Sequence, residues 1–418
     1  MKESRLIITG GTPLNGSVNV SGAKNAALPI LAACILTKGH FKLDNIPMVS
    51  DIFIMLKMLN ALGVRAEVSG EDSVKIWNNQ KIRHIAPYEL VTSMRASFFV
   101  AGPILARTGY AKVPLPGGCA IGTRPLDIHL NGFKAMGVNV SIEHGFVQMM
   151  TDHLKGNDIY LDFPSVGATE NIMMAATLAD GTTTIGNAAQ EPEIIDLADF
   201  LNRSGASIEG AGTSTIKIKG TSELLGQNHT VLPDRIEIGT LMIAAAITQG
   251  DITINNIHHH YSDNVIKKLE QTGTSITHKK NSIRIVGPTT LTGVDFETQP
   301  FPGFPTDMQA QFMSLLTIAK GTSIVSETIF ENRFMHVNEL IRLGADIRVD
   351  NHQAIINGVP KLYSAEVKTT DLRAGAALVL AGLIADGQTQ IYGLDHLRRG
   401  YYNLPQKLQS LGAMIQRK

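Results

Sequence analysis

Apolar and polar positions recur along this chain with a long period. The stretch Ile236 to Thr248 (IEIGTLMIAAAIT) is apolar almost all round, the pattern of a helix buried on every side. Gly250 ends it, and Asp251-Ile252-Thr253-Ile254 then alternates, the period of a half-buried strand. Asn264 to Thr272 is amphipathic and predicts an outer helix. Thr274 to Thr277 and Ser282 to Val286 predict two short strands around a Lys-Lys-Asn turn. The order helix, strand, helix, strand, strand repeats six times. Glycines keep the beat. Gly39, Gly109, Gly181, Gly250, Gly321 and Gly387 follow the apolar helices and open strands; Gly63, Gly137, Gly205, Gly273, Gly344 and Gly412 end the outer helices. Other apolar helices are predicted from Ala26, from Ala96 (ASFFVAGPILA) and from Asn171 (NIMMAATLA).

A repeat of this length dictates an architecture. Six units divide into three and three, with the boundary near Leu232-Pro233 after the polar stretch Gly226-Gln227-Asn228-His229. The expectation is a two-domain α/β protein: residues 22–232 form one domain, and 1–21 with 233–418 form the other. The strand Leu6 to Thr9 closes the second domain, and a cleft lies between the two.

Composition narrows the function classes. The chain has 418 residues, 44% hydrophobic and 18% charged, with 37 basic against 37 acidic side chains. No global field recruits nucleic acid, so an anionic ligand needs locally gathered cations. Two distant cysteines, Cys34 and Cys119, argue against a disulfide framework and for a reducing compartment. No signal peptide is readable in residues 1–11, and the longest apolar stretch, Ala374 to Ala385, is too short for a bilayer. The expectation is a soluble, cytoplasmic protein with no membrane partner.

Charge interrupts the pattern at the starts of the apolar helices: Lys24-Asn25, Arg95, Asp234 with Arg235 and Glu237, Asp307, and Asp371 with Arg373. Salt bridges holding each helix start are one reading. The other is a gathered anion site, in which cations add to the attraction of helix N-termini. The cations at three of these starts, Lys24, Arg95 and Arg373, favour the second. A further break is the loop Leu115 to Pro125 (LPGGCAIGTRP), with three glycines, two prolines and Cys119. Such a loop exposes its thiol, and Arg124 favours the thiolate; an inert loop thiol is the alternative. Cys34 sits in an apolar helix and reads as packing. His258-His259-His260 point different ways and make no metal site, and neither a P-loop nor a metal cluster is readable.

The motifs SGAKNAALPI (21–30), MRAS (94–97), LPGGCAIGTRPLDIH (115–129), SVGATEN (165–171), EPEIID (191–196) and LPDRIEIGT (232–240) run along the chain. FPTDMQAQF (304–312), FENRFMHV (330–337), DLRAGAALVLAG (371–382) and DHLRRGY (395–401) complete the set. Together they closely resemble the UDP-N-acetylglucosamine enolpyruvyl transferases over the whole chain. The resemblance implies a two-domain inside-out α/β barrel of six βαβαββ units with buried inner helices. It implies transfer of the enolpyruvyl group of phosphoenolpyruvate to the 3′-hydroxyl of UDP-N-acetylglucosamine, the first committed step of peptidoglycan precursor synthesis, with no cofactor. Cys119 becomes the acid and the target of fosfomycin, and Asp307 the base at the sugar hydroxyl. Lys24, Asn25, Arg95, Arg124 and Arg399 face phosphoenolpyruvate; Arg333 and Arg373 complete the set of cations. The nucleotide sugar falls to Arg124, Pro125, Leu126, Asp127 and Ile128, to Phe163, Pro164, Ser165 and Val166, and to Asp307 and Ile329. Ser50 stands where some relatives carry lysine, and Gln190 where arginine is common, which bears on closure. The alternatives are the sister 3-phosphoshikimate 1-carboxyvinyltransferases, disfavoured by the PGGC loop and RPLDIH, and a non-catalytic nucleotide-sugar-binding paralogue.

Overall fold

A computed structural model describes residues 4–117 and 126–418. The chain forms two compact units, one from 22–117 with 126–232, the other from 4–21 with 233–418. Each contains three small sheets.

The repeat appears element by element. In the fourth copy the helix is Arg235–Ile247, with every residue from Ile236 to Ile247 buried. The strand Asp251–Asn255 follows, then the helix Asp263–Gln271, which buries only Val265, Ile266 and Leu269. The strands Ser275–Lys279 and Ser282–Val286 pair antiparallel, and the second pairs with Asp251–Asn255. An all-round apolar helix needs partners on every side, and it finds them in the other inner helices. Arg235–Ile247, Gln309–Leu316 and Leu372–Gly382 pack on one another and share one core. Ser314 Oγ ties two of them by donating to the Ala377 carbonyl at 2.9 Å.

The other unit builds its interior from Lys24–Ala33, Ala101–Thr108 and Val166–Ala176. Fully buried Asn171 locks two of these inner segments together. Its Oδ1 accepts from Gly102 N at 2.8 Å and its Nδ2 donates to the Phe98 carbonyl at 3.0 Å. A Cβ on Gly102 would lie 2.4 Å from the Asn171 carbonyl oxygen, so the close approach requires glycine there.

Each sheet also carries a parallel edge strand that the periodicity does not reveal, or, in the second copy, the bridge Ile85 to Lys112. In most copies this strand precedes the inner helix, as Asp158–Tyr160 does beside Thr182–Gly186. In the first copy it is supplied by Leu224–Leu225 and His229–Thr230, which pair with Thr37–Asp44 and close that unit on itself. In the fourth it is Asn15–Asn19 beside Asp251–Asn255. The strand Leu6–Thr9 completes the sixth sheet between Gln388–Tyr392 and Met414–Arg417.

Two details differ from the pattern. The second inner helix opens as a 3-10 turn, Arg95–Val100, and becomes α-helical only at Ala101. Pro103 explains the switch: it has no N–H and fits only the first turn of the α segment. In the fourth copy the left-handed residue is Gln249 (φ 55°), not Gly250. Gly250 is needed instead for space, because a Cβ would lie 2.3 Å from the Leu14 carbonyl oxygen.

Candidate active site

In the unit built from 233–418, Asp307 is the centre of a charged cluster. It lies in the 3-10 turn Thr306–Met308 that leads into the inner helix Gln309–Leu316. Its neighbour Thr306 donates to the buried Glu327 carboxylate at 3.0 and 3.1 Å. Glu327 Oε1 also accepts from Ile329 N and Phe330 N at 3.0 and 3.1 Å, which fixes the segment carrying Ile329. Asp307 Oδ1 accepts from Arg333 Nη2 at 2.8 Å, and Oδ2 from Arg373 Nη2 at 2.8 Å. The two arginine side chains are 4% and 2% exposed and the carboxylate 27%, so two buried cations share one partly exposed anion.

Arg373 is positioned by its own helix start. Asp371 caps Leu372–Gly382, its side chain accepting from Arg373 N and Ala374 N at 2.7 and 3.0 Å. The guanidinium stacks 5.3 Å from the Tyr401 ring centroid. Its Nε and Nη1 have no acceptor among the described residues. Burial alone would lower the Arg373 pKa, but the carboxylates of Asp307 and Asp234 outweigh it and hold the group firmly protonated. Arg399 is half-buried on the helix Leu394–Gly400, immediately before Tyr401.

The other unit carries a second set. Lys24 is the first residue of its inner helix, and its Nζ donates to Asp51 Oδ2 at 3.4 Å in buried surroundings. Asn25 follows it, half-buried, and Ser50 sits beside Asp51 at the start of Ser50–Leu62. Arg95 opens the 3-10 turn and acts on His129. Burial first, and then the charge of Arg95, push His129 down to about 3. Asn171 Nδ2 donates to His129 Nδ1 at 3.3 Å, so the neutral ring carries its proton on Nε2. Leu126 caps Asp127–Ala135, with Asp127 exposed and Ile128 half-buried beside it. Ser165 caps Val166–Ala176, accepting from Ala168 N at 3.3 Å, and its own N–H donates to the Phe163 carbonyl at 2.7 Å. Phe163 is exposed, next to half-buried Pro164. Cys119, Arg124 and Pro125 lie outside the described residues.

Some groups here were not singled out from sequence. Glu170 is fully buried on Val166–Ala176, with neither carboxyl oxygen hydrogen-bonded among the described residues. Burial, then Glu193, then Glu191 raise its pKa well above the usual carboxylate range, so it is a neutral acid. Tyr401, Gln311 and Thr240 form a buried chain behind Asp307. All four lie inside motifs quoted above, but no periodicity separates such residues from packing. Among the described residues no group of acids, histidines and cysteines is arranged to hold a metal.

Comparison with known proteins decides the family. The family model EPSP synthase (3-phosphoshikimate 1-carboxyvinyltransferase) matches residues 8–408. UDP-N-acetylglucosamine 1-carboxyvinyltransferase 1 of Caldanaerobacter subterraneus subsp. tengcongensis is 53% identical over 417 residues, covering 100% of both chains. The chain belongs to the UDP-N-acetylglucosamine 1-carboxyvinyltransferases. A second such enzyme, from Carboxydothermus hydrogenoformans, is 52% identical over 415 residues, 99% of each chain. Among solved structures, the enolpyruvyl transferase NikO from Streptomyces tendae matches with a TM-score of 0.90 at 25% identity, covering 100% of this chain and 99% of that one. EPSP synthase from Acinetobacter baumannii shares the fold, with a TM-score of 0.81 at 20% identity over 100% of both chains. The two-domain α/β architecture expected from the repeat is therefore that of the enolpyruvyl transferases.

Proposed function

We propose that this chain transfers the enolpyruvyl group of phosphoenolpyruvate to the 3′-hydroxyl of UDP-N-acetylglucosamine, releasing phosphate. The observation that carries the reading is full-length identity of 52–53% to enzymes of that name. The reaction is the first committed step of peptidoglycan precursor synthesis, and its expected place is the cytoplasm. No described helix is long and apolar enough to cross a membrane.

The chemistry is addition then elimination. The methylene of phosphoenolpyruvate takes a proton, and the sugar hydroxyl oxygen bonds to the adjacent carbon, giving a tetrahedral phosphoketal. Loss of a methyl proton and of phosphate restores the double bond. Cys119 supplies the proton to the methylene in this reading, by resemblance. Asp307 orients the sugar hydroxyl and takes its proton. A carboxylate has about four lone-pair sites, so the two arginine bonds leave it acceptor capacity. The unmatched Nε and Nη1 donors of Arg373 suit an incoming anion. Lys24, Asn25, Arg95, Arg124 and Arg399 serve phosphoenolpyruvate, with Arg333 and Arg373. Leu126, Asp127, Ile128, Phe163, Pro164, Ser165, Val166 and Ile329, with Arg124 and Pro125, serve the nucleotide sugar; exposed Phe163 supplies an apolar face for a base.

Phosphate release from phosphoenolpyruvate is the test. The expected result is turnover with UDP-N-acetylglucosamine and none with shikimate 3-phosphate. Turnover with shikimate 3-phosphate alone, or with neither, refutes the reading. Fosfomycin is expected to block turnover by a single adduct at Cys119.

A further inference from the structure

Thr240, Tyr401 and Gln311 lie behind Asp307, and their hydrogen bonds have only one consistent direction. Thr240 Oγ1 donates to the Ile236 carbonyl at 2.8 Å, which uses its one proton. Its 2.9 Å bond with the Tyr401 hydroxyl is therefore donated by Tyr401. The tyrosine oxygen in turn accepts from Gln311 Nε2 at 2.8 Å. The other Gln311 proton goes to the Asp307 carbonyl oxygen at 2.8 Å. Gln311 is fully buried and Tyr401 is 5% exposed, so water does not compete for these bonds. The result is one buried chain in which Gln311 donates both ways, to the backbone of Asp307 and to the Tyr401 hydroxyl, which passes its own proton to Thr240 on the inner helix Arg235–Ile247. The Tyr401 ring is at the same time the surface on which the Arg373 guanidinium stacks, at 5.3 Å.

We infer that Tyr401 is a positioning residue: its hydroxyl fixes the backbone of Asp307 through Gln311, while its ring fixes the guanidinium of Arg373. The two partners of the 2.8 Å Asp307–Arg373 bond are thereby held from both ends by a single side chain. A rigid arginine matters here because Arg373 has five donors and its partner carboxylate takes only one. The inference rests on the proposed reaction, in which Arg373 receives phosphoenolpyruvate. Tyr401 itself is not assigned contact with substrate.

Two variants separate the hydroxyl from the ring. Tyr401→Phe keeps the shelf and removes the link to Thr240 and Gln311. It is expected to lower kcat/KM for phosphoenolpyruvate roughly five- to tenfold, the effect of one buried hydrogen bond. KM for UDP-N-acetylglucosamine stays within about twofold. Tyr401→Leu removes the shelf as well and lowers kcat/KM several-fold further, as loss of a desolvated cation–π contact does. A merely structural tyrosine would instead move both KM values together with the melting temperature. The parental enzyme run alongside tests the reaction itself, and crystal structures of both variants test Tyr401 without turnover. Parental kcat/KM for phosphoenolpyruvate in both variants overturns the inference. So does a Tyr401→Leu structure in which Arg373 still donates to Asp307 in its original orientation.

Discussion

Replacing Asp307 with alanine removes one carboxylate from between two buried guanidinium groups, Arg333 and Arg373, each 2.8 Å away. Removing one partner of a buried ion pair costs about 3–5 kcal/mol, because a charge is left without compensation in the interior. The Asp307 side chain is 27% exposed, so water reaches part of the vacated space and the lower end applies, about 3 kcal/mol. For a unit of this size that is a melting shift of roughly 6–12 °C. The cause is charge and not volume, so an added anion should reverse it. Inorganic phosphate is expected to raise the melting temperature of Asp307→Ala more than that of the parent. Differential scanning fluorimetry over a phosphate titration, with Asp307→Asn beside it, makes the comparison. Turnover measured well below the transition should fall roughly 10²–10⁴-fold, with a modest change in KM for phosphoenolpyruvate. An unshifted melting temperature would refute the electrostatic account, and near-parental kcat would remove Asp307 from the chemistry.

Glu170→Gln tests the neutral acid. The folded chain keeps a proton on Glu170 at pH values where the unfolded chain has lost it, so folded protein binds more protons and stability falls as pH rises above the usual carboxylate range near 4.5. The amide mimics the protonated form; its melting temperature should match the parent near pH 4 and exceed it increasingly toward pH 8. Growing destabilisation by glutamine at pH 8 would show an ionised, paired carboxylate instead. Native alkylation should label Cys119 and spare Cys34, whose thiol is fully buried, held well above its normal pKa by desolvation, and donating to the Ile30 carbonyl at 3.3 Å; peptide mapping that finds label on Cys34 sinks this.

The repeat was legible because its signals are local. Period 3.6, period 2 and the glycines after each helix marked the fourth copy to within about two residues at each boundary. The parallel edge strands were not legible: Asn15–Asn19 buries only Val18, and Leu224–Leu225 has two residues. Such strands are defined by the ladder they join. At the site, cations at helix starts stood out against apolar sequence. The partner of Lys24 did not, because Asp51 lies 27 residues away, nor did the chain behind Asp307, where Gln311 lies 90 residues from Tyr401. Pairing at that distance is a property of the fold.

The way the chain is threaded through its two units sets an order of assembly on the ribosome. The unit built from 22–117 with 126–232 closes once Leu224–Leu225 and His229–Thr230 have emerged. The other unit draws on chain from both sides of that stretch. Leu6–Thr9 is made before it, yet it pairs only with Gln388–Tyr392 and Met414–Arg417, made long after it. Asn15–Asn19 likewise waits for Asp251–Asn255. Throughout translation, then, a finished unit trails behind an unpaired leading strand whose open edges invite pairing with other nascent chains. Slow elongation beyond residue 232 prolongs that exposure, while a pause within 22–232 lets the first unit mature, so codon usage and chaperone access should matter most in the second half of the message.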